Sequence, residues 1–110
     1  MTVHPFAPSG QGTVVLSSGA GVGALIVRAP GRLHGRDVEI SPAGDPGSRT
    51  FAAVRPRYVR GGVVWSVVFD GLPEGRYVIW RDPVTPLAEV DVHGGRVTGF
   101  PWPEVTATAA

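Results

Sequence analysis

Residues 63–80 constrain the fold of this 110-residue chain more than any other stretch. Side chains alternate between the two faces of a β-strand. The first half of the stretch keeps that period with four apolar residues on one face, which are Val63, Trp65, Val67 and Phe69. The second half places Tyr77 and Ile79 on one face, and residues 70–75 supply the glycines and proline of a chain reversal. We therefore predict two buried strands joined by a turn.

Similar short apolar runs, separated by glycine and proline, recur along the chain. They predict further strands at residues 13–16, 24–27, 36–41, 50–59, 87–92 and 96–100. Pro56 interrupts one of these runs, and because a proline cannot donate to a sheet ladder, that strand is predicted at a sheet edge. No segment has a helical period. The pattern predicts an all-β protein, a two-sheet Greek-key sandwich of seven to eight short antiparallel strands.

The composition favours one folded domain over a disordered chain. Sixteen glycines and eleven prolines would indicate disorder in a polar sequence, but 43% of the residues are hydrophobic. We expect residues 1–12 to form a flexible N-terminal arm, residues 13–103 to form the sandwich, and residues 104–110 to be a frayed C-terminal tail.

Charge and cysteine content narrow the classes of partner. Ten arginines against nine acidic residues give a net charge of +1, which argues against a nucleic-acid partner. The absence of cysteine excludes disulfides and thiolate metal sites. No apolar run reaches the roughly 20 residues of a membrane span, and the first residues lack the pattern of a signal peptide. We expect a cytoplasmic protein without a membrane span.

Residues 67–79 carry a motif of the form F-x-x-L-P-x-G-x-Y-x-hydrophobic. This motif resembles the corner of the prealbumin-like sandwich modules, which include Cna-B-type domains, carboxypeptidase regulatory-like domains and transthyretin. The resemblance implies a seven-stranded Greek-key sandwich. At such a corner, Leu72 packs back on the core, Pro73 stiffens the turn, Gly75 takes a positive φ and Tyr77 re-enters the interior.

One branch of that group, the hydroxyisourate hydrolases, is enzymatic. Its Tyr-Arg-Gly-Ser ending is absent here, where the sequence reads Phe-Pro-Trp-Pro at residues 100–103. The resemblance therefore does not extend to ureide hydrolysis.

The histidines do not predict a metal site. His4, His34 and His93 share no ligand spacing, so we expect surface or loop positions and neither a metal nor another cofactor. A site assembled from remote histidines stays open as an alternative.

No catalytic motif is evident among the serines, and no catalytic residue is assigned. None lies in a G-x-S-x-G elbow. A triad is defined by geometry and not by sequence order, so Ser41 or Ser66 could combine with His34 or His93 and with Asp70 or Asp91. A small hydrolase acting on an ester or cyclic amide is therefore an alternative function.

Four residues are candidates for binding. Arg55 and Arg57 share one face of a strand, where they either solvate a sheet edge or bind an acidic partner or an anionic ligand. Trp80 has the opposite parity to Ile79, which predicts the outer face of its sheet or a place under the tail. Trp102, between two prolines, is either a plug that covers a sheet edge or an exposed anchor.

Together these features predict a non-catalytic binding or accessory module. It would act through protein–protein contact, with a protein partner or as a homo-oligomer. A carbohydrate or small-ligand site on Trp80 and Trp102 is a further alternative.

Overall fold

A computed structural model of the protein describes residues 21–105 and contains two four-stranded β-sheets packed face to face. The described strands are β1 (Val22–Ala29), β2 (Asp37–Pro42), β3 (Thr50–Ala53), β4 (Arg55–Val59), β5 (Gly62–Pro73), β6 (Gly75–Asp82), β7 (Thr85–Val92) and β8 (Val97–Pro101). Sheet I has the order β4-β5-β1-β8 and sheet II the order β3-β2-β6-β7. The predicted arm (residues 1–12), the predicted strand at residues 13–16 and most of the predicted tail lie outside the described residues.

The chain changes sheet after β1, β3, β5 and β7, so that non-consecutive strands become neighbours, as in Greek-key connections. The predicted all-β, two-sheet sandwich is confirmed. One pair departs from the antiparallel expectation, because β8 runs parallel to β1. The chain passes from β7 in sheet II to β8 in sheet I, so β7 and β8 do not form a hairpin.

The strands predicted within residues 63–80, β5 and β6, do not pair with each other but lie in opposite sheets. A bulge bends β5 before this corner: Asp70 and Gly71 lie opposite the single residue Ala24 of β1. Gly71 has a φ of +66°, a conformation that side chains rarely adopt. Because the bulge adds one residue, Phe69 and Leu72 both face the core.

The strand predicted at residues 50–59 is two strands, β3 in sheet II and β4 in sheet I. The break falls at Val54 and not at Pro56, which lies inside β4. Val54 is fully buried, and its N–H donates to the carbonyl of Arg36 at 2.8 Å while its own carbonyl accepts from the N–H of Gly35 at 2.9 Å. Both strands are outermost in their sheets, as predicted for this segment.

The core lies between the inner faces of the two sheets. Its fully buried large side chains are Leu25, Val27, Val67, Ile40, Ile79, Val54 and Val92. Trp102 joins this core with 3% of its surface exposed, and its backbone N–H donates to the carbonyl of Arg28 at 2.8 Å. Trp102 is therefore buried in the core and is not the exposed anchor that was one of the two alternatives.

Tyr77 enters the core just after the corner, at the start of β6. Its hydroxyl donates to the carbonyl oxygen of Pro73 at 2.6 Å, which ties the strand back to the turn. The same bond type, a tyrosine hydroxyl bound to backbone a few residues upstream, occurs at sandwich corners elsewhere. Burial raises the pKa of Tyr77 above its ordinary value of 10.0, because the charged phenolate would lose solvation.

This raised pKa predicts alkaline sensitivity. Below pH 10 the phenol is protonated in both the folded and the unfolded protein. As the pH rises from 10 through the higher pKa of the folded protein, the unfolded protein ionises first, so the free energy of unfolding falls. We expect the free energy of unfolding to fall above about pH 10, and the fall to be smaller in Tyr77→Phe. Urea titrations between pH 7 and 11 measure this. Tyr58→Phe, at a side chain 73% exposed, is the control, and equal pH profiles for wild type and Tyr77→Phe would refute the prediction.

Candidate functional site

Three adjacent strands of sheet I align two arginines around one serine. Arg55 on β4 is the register partner of Ser66 on β5, and Ser66 is the partner of Arg28 on β1. Since neighbouring strands lie about 4.8 Å apart, the backbones of the two arginines are about 10 Å apart. The residues beside Ser66 in sequence, Trp65 and Val67, face the core side, so this row lies on the outer face.

Arg57 extends the same face by two residues along β4, where it lies opposite Val64. We call Arg28, Arg55 and Arg57 the cationic face. An open groove of about 480 Å³ runs along it, between the end of β3 and the middle of β5. The groove is lined by Ala52, Ala53, Arg55, Pro56, Arg57, Ser66 and Val68. Its walls therefore combine apolar side chains with two guanidinium groups and one hydroxyl.

The charges of Arg28 and Arg55 are not balanced by a carboxylate of the described chain. The ion pairs within residues 21–105 are Arg32–Glu104, Arg49–Glu39, Arg76–Glu89 and Arg76–Asp91. The residues next along β5 on this face, Val64 and Val68, are apolar. Uncompensated positive charge beside apolar surface attracts anionic groups.

The structure places the two arginines of the sequence prediction, Arg55 and Arg57, together on this face. Arg28 was missed, although the alternation of β1 held the signal: Leu25 and Val27 are buried, so Ile26 and Arg28 point outward. The strand register that sets Arg28 beside Ser66 has no signature in the local sequence.

Trp80 lies on the outer face of sheet II, one of the two positions predicted for it. Its indole Nε1 donates to the hydroxyl of Ser41 at 3.0 Å. The guanidinium of Arg49 lies 3.7 Å from the ring centroid and is held there by Glu39 at 2.8 Å and the carbonyl of Pro83 at 3.1 Å. One ring face is thus occupied, and Trp80 fastens the loop before β3 to the sheet.

The predicted binding residues do not form one site. Trp80 lies on the outside of sheet II, Trp102 lies inside the core, and Arg55 and Arg57 lie on the outside of sheet I. The structure therefore offers no joint stacking platform on Trp80 and Trp102 for a carbohydrate.

The histidines lie at opposite ends of β1. His93 precedes the turn in which the N–H of Gly95 donates to the carbonyl of Val22, where β1 begins, and His34 follows the 3-10 turn Gly31–Leu33 after β1 ends. Eight strand residues span about 25 Å. No three His, Asp or Glu side chains within residues 21–105 form a metal-binding group, and His4 lies outside this range.

The serine, histidine and aspartate residues considered for catalysis are not assembled in the described chain. Neither His34 nor His93 bonds to a serine or a carboxylate there. Ser41 lies on sheet II, bonded to Trp80, whereas Ser66 lies on sheet I. The carboxylate of Asp91 accepts from Arg76 at 3.0 Å, outside sheet II.

Asp82 stabilises the turn between β6 and β7. Its carboxylate accepts from the N–H groups of Val84 at 3.0 Å and Thr85 at 2.9 Å in the β6–β7 turn, and these bonds lower its pKa. A carboxyl held ionised in this way is unsuited to act as a general acid at neutral pH.

In the part of the chain that the structure describes, no helix is long and apolar enough to span a bilayer. Comparisons with protein-family models, curated proteins and solved structures found no match to this chain.

Proposed function

We propose that the protein is a non-catalytic binding module that holds an acidic segment of a partner protein on its cationic face. The observation that carries this proposal is the row Arg55, Ser66 and Arg28, which presents two unbalanced positive charges on a rigid sheet. Guanidinium groups bind carboxylates with two parallel hydrogen bonds, and the serine hydroxyl between them is a further donor.

Contact through the face is favoured over contact through the neighbouring edge. The free edge of sheet I on this side is β4, and Pro56 in its middle has no N–H. A partner strand added there would meet an interrupted row of donors, which is how edge strands resist pairing. The side chains of β4 therefore carry the interaction.

The same charges argue against self-association through this face. In a twofold dimer, the same patch meets itself, so three arginines would approach three arginines. Like charges across an interface are costly, whereas an acidic partner complements them. A different protein is therefore the proposed partner.

A nucleic-acid partner is disfavoured by the small number of charges. Proteins that bind the phosphate backbone neutralise several phosphates at once, and here three arginines share the face in a chain of net charge +1. The groove that the arginines line also presents Ala52, Ala53 and Val68, which suit side chains better than a phosphate backbone.

We also propose that the chain is a prealbumin-like module. Support comes from the corner at residues 67–79, where Leu72 and Tyr77 are buried as that resemblance implies. A role in binding and not in catalysis agrees with the separation of its histidines, serines and aspartates.

Binding of a fluorescein-labelled hexaglutamate peptide tests the proposed function. We expect binding at low salt that weakens as salt is added, because exposed charges are screened. Replacing Arg28, Arg55 and Arg57 together by glutamine is expected to weaken binding about tenfold, which corresponds to about twofold for each exposed ion pair. Fluorescence anisotropy measures the dissociation constants.

The control replaces three exposed arginines outside the cationic face, Arg36, Arg81 and Arg96, by glutamine and so changes the net charge equally. It is expected to bind nearly as well as wild type. Absence of wild-type binding, an equal loss in both triple variants, or tighter binding of oligothymidylate than of hexaglutamate would overturn the proposal.

A further inference from the structure

A second cavity adjoins the cationic face at the end of β1. It has a volume of about 310 Å³, and we call it the Trp65 pocket. Its main walls are Arg28, Pro30, Val63, Val64, Trp65 and Val105. Small-molecule and side-chain sites in proteins have volumes from about 300 Å³ upward and are mostly apolar with a few polar groups. This cavity has that character.

The pocket exists because β1 ends before β5 does. The two strands pair as far as Ala29 and Trp65, after which β1 leaves the sheet at Pro30. β5 continues past this point to its first residues, with β4 on one side and no strand on the other. Gly31 then packs on the Trp65 ring, where an added Cβ would lie 3.2 Å from ring atoms, and this closes one side of the pocket.

Backbone groups of Val63 face this opening. The carbonyl of Arg28 accepts from Trp102 on the β8 side, so the next residue, Ala29, turns its N–H and C=O toward β5. Its partner Trp65 faces β1 in return, and so does Val63 two residues away. Beyond the end of β1, no backbone of the described residues bonds to Val63 there. An extended partner segment can therefore bond to it.

Arg28 adds a charged group to the same place, because it lines the pocket and also belongs to the cationic face. No carboxylate of the described residues pairs with it, and a charge without a counterion favours a ligand that brings a carboxylate.

We infer that the Trp65 pocket receives one large apolar side chain of the acidic partner segment, next to a carboxylate that pairs with Arg28. The inference rests on the proposed function and specifies what that partner must contain. The shared arginine sets the distance: a carboxylate on Arg28 puts the neighbouring residue at the mouth of the pocket. An aromatic residue suits the Trp65 wall, since aromatic pairs and buried aromatic anchors stabilise interfaces.

Six labelled peptides derived from hexaglutamate, each with one glutamate replaced by phenylalanine, test this inference. Each is paired with a peptide that has glutamine at the same position, which loses the same charge without adding an apolar group. At least one phenylalanine peptide is expected to bind about tenfold more tightly than its glutamine counterpart, the gain for burying much of one such side chain.

Val63→Phe, which fills the pocket, is expected to remove the difference between the two peptides. Val84→Phe, at a side chain 82% exposed in the β6–β7 turn, is expected to keep it. The indole Nε1–H signal of Trp65 in a ¹H–¹⁵N spectrum of the wild type gives a second measurement. It is expected to shift with the phenylalanine peptide and to shift much less with the glutamine peptide.

The outcomes separate the two proposals. If hexaglutamate and all its derivatives fail to bind, the proposed function is wrong and this inference with it. If hexaglutamate binds but phenylalanine and glutamine peptides bind equally, the pocket is not a side-chain site, although the cationic face still is. A gain that persists in Val63→Phe, or an unmoved Trp65 signal, also overturns the inference.

Discussion

Replacing Trp102 by alanine is expected to lower the free energy of unfolding by about 3–5 kcal/mol, the usual range for removing a buried tryptophan. Only 3% of the Trp102 surface is exposed, and its side chain enters the core directly after β8 ends. Its backbone also extends the ladder to β1 through the bond to Arg28. Removing the indole would therefore leave a cavity in the core next to the end of β8. Urea denaturation followed by circular dichroism measures it.

Trp102→Phe is the informative companion variant. The indole Nε1 of Trp102 is buried without an acceptor in residues 21–105, so removing that N–H forfeits no hydrogen bond of the described chain. We expect the change to cost less than Trp102→Ala, because phenylalanine leaves a smaller cavity than alanine does. Val97→Ala, at a side chain 54% exposed on β8, controls for the strand itself. A loss below about 1 kcal/mol in Trp102→Ala would show that the residue is not a plug.

Local alternation predicts which side chains enter the core. Val67, Phe69, Tyr77 and Ile79 were predicted in this way, because one buried face repeats every two residues, and all four are buried. Proline also placed its segment at a sheet edge. These features depend on neighbours in sequence, so a single sequence contains them.

Local alternation does not predict which of the two sheets a strand joins. β5 and β6 follow one another like a hairpin in the sequence, yet they belong to opposite sheets because a bulge and a corner intervene. The break at Val54 was equally hidden, since a buried valine continues the apolar pattern of a strand. Which strand pairs with which is decided by packing across the whole domain.

Some features of the candidate site follow from the local sequence, and others follow only from the pairing of strands. Arg55 and Arg57 were predictable as a pair, because they are two residues apart on one strand. Arg28 joins them only through the register of β1 with β5, and the Trp65 pocket exists only because those strands end at different points. The outer position of Trp80 followed from parity, but its contact with Arg49 comes from a loop that no periodicity describes.

The two outer faces of the sandwich differ in how their charges are balanced. On sheet II, Arg76 lies beside Glu89 and Asp91, and Arg49 lies beside Glu39. On sheet I, no described carboxylate pairs with Arg28 or Arg55. Charges that are paired on the folded surface attract a charged partner weakly, whereas unpaired charges attract it more strongly. This contrast is the reason for placing the binding site on sheet I.

Gly23 packs tightly against the turn between β7 and β8 at the other end of β1. A Cβ on Gly23 would overlap the carbonyl oxygen of His93 and would lie 3.0 Å from both the carbonyl oxygen of Arg96 and the Cγ1 of Val92. Two of these three atoms are backbone atoms of the turn that carries the chain from β7 to β8. Backbone cannot rotate away as a flexible side chain can, so a methyl group requires the turn at residues 93–96 to move away from β1.

Gly23→Ala is therefore expected to lower the free energy of unfolding by about 2–3 kcal/mol, the cost of overpacking a rigid site. For a domain of this size, that corresponds to a fall in melting temperature of roughly 10–20 °C. Gly99→Ala is the matched control, because Gly99 also lies in a strand of sheet I and an added Cβ would meet nothing within 4 Å. Thermal unfolding followed by calorimetry compares the two. Equal melting temperatures for the two variants would mean that the turn at residues 93–96 yields, and that the contact between β1 and this turn is not rigid.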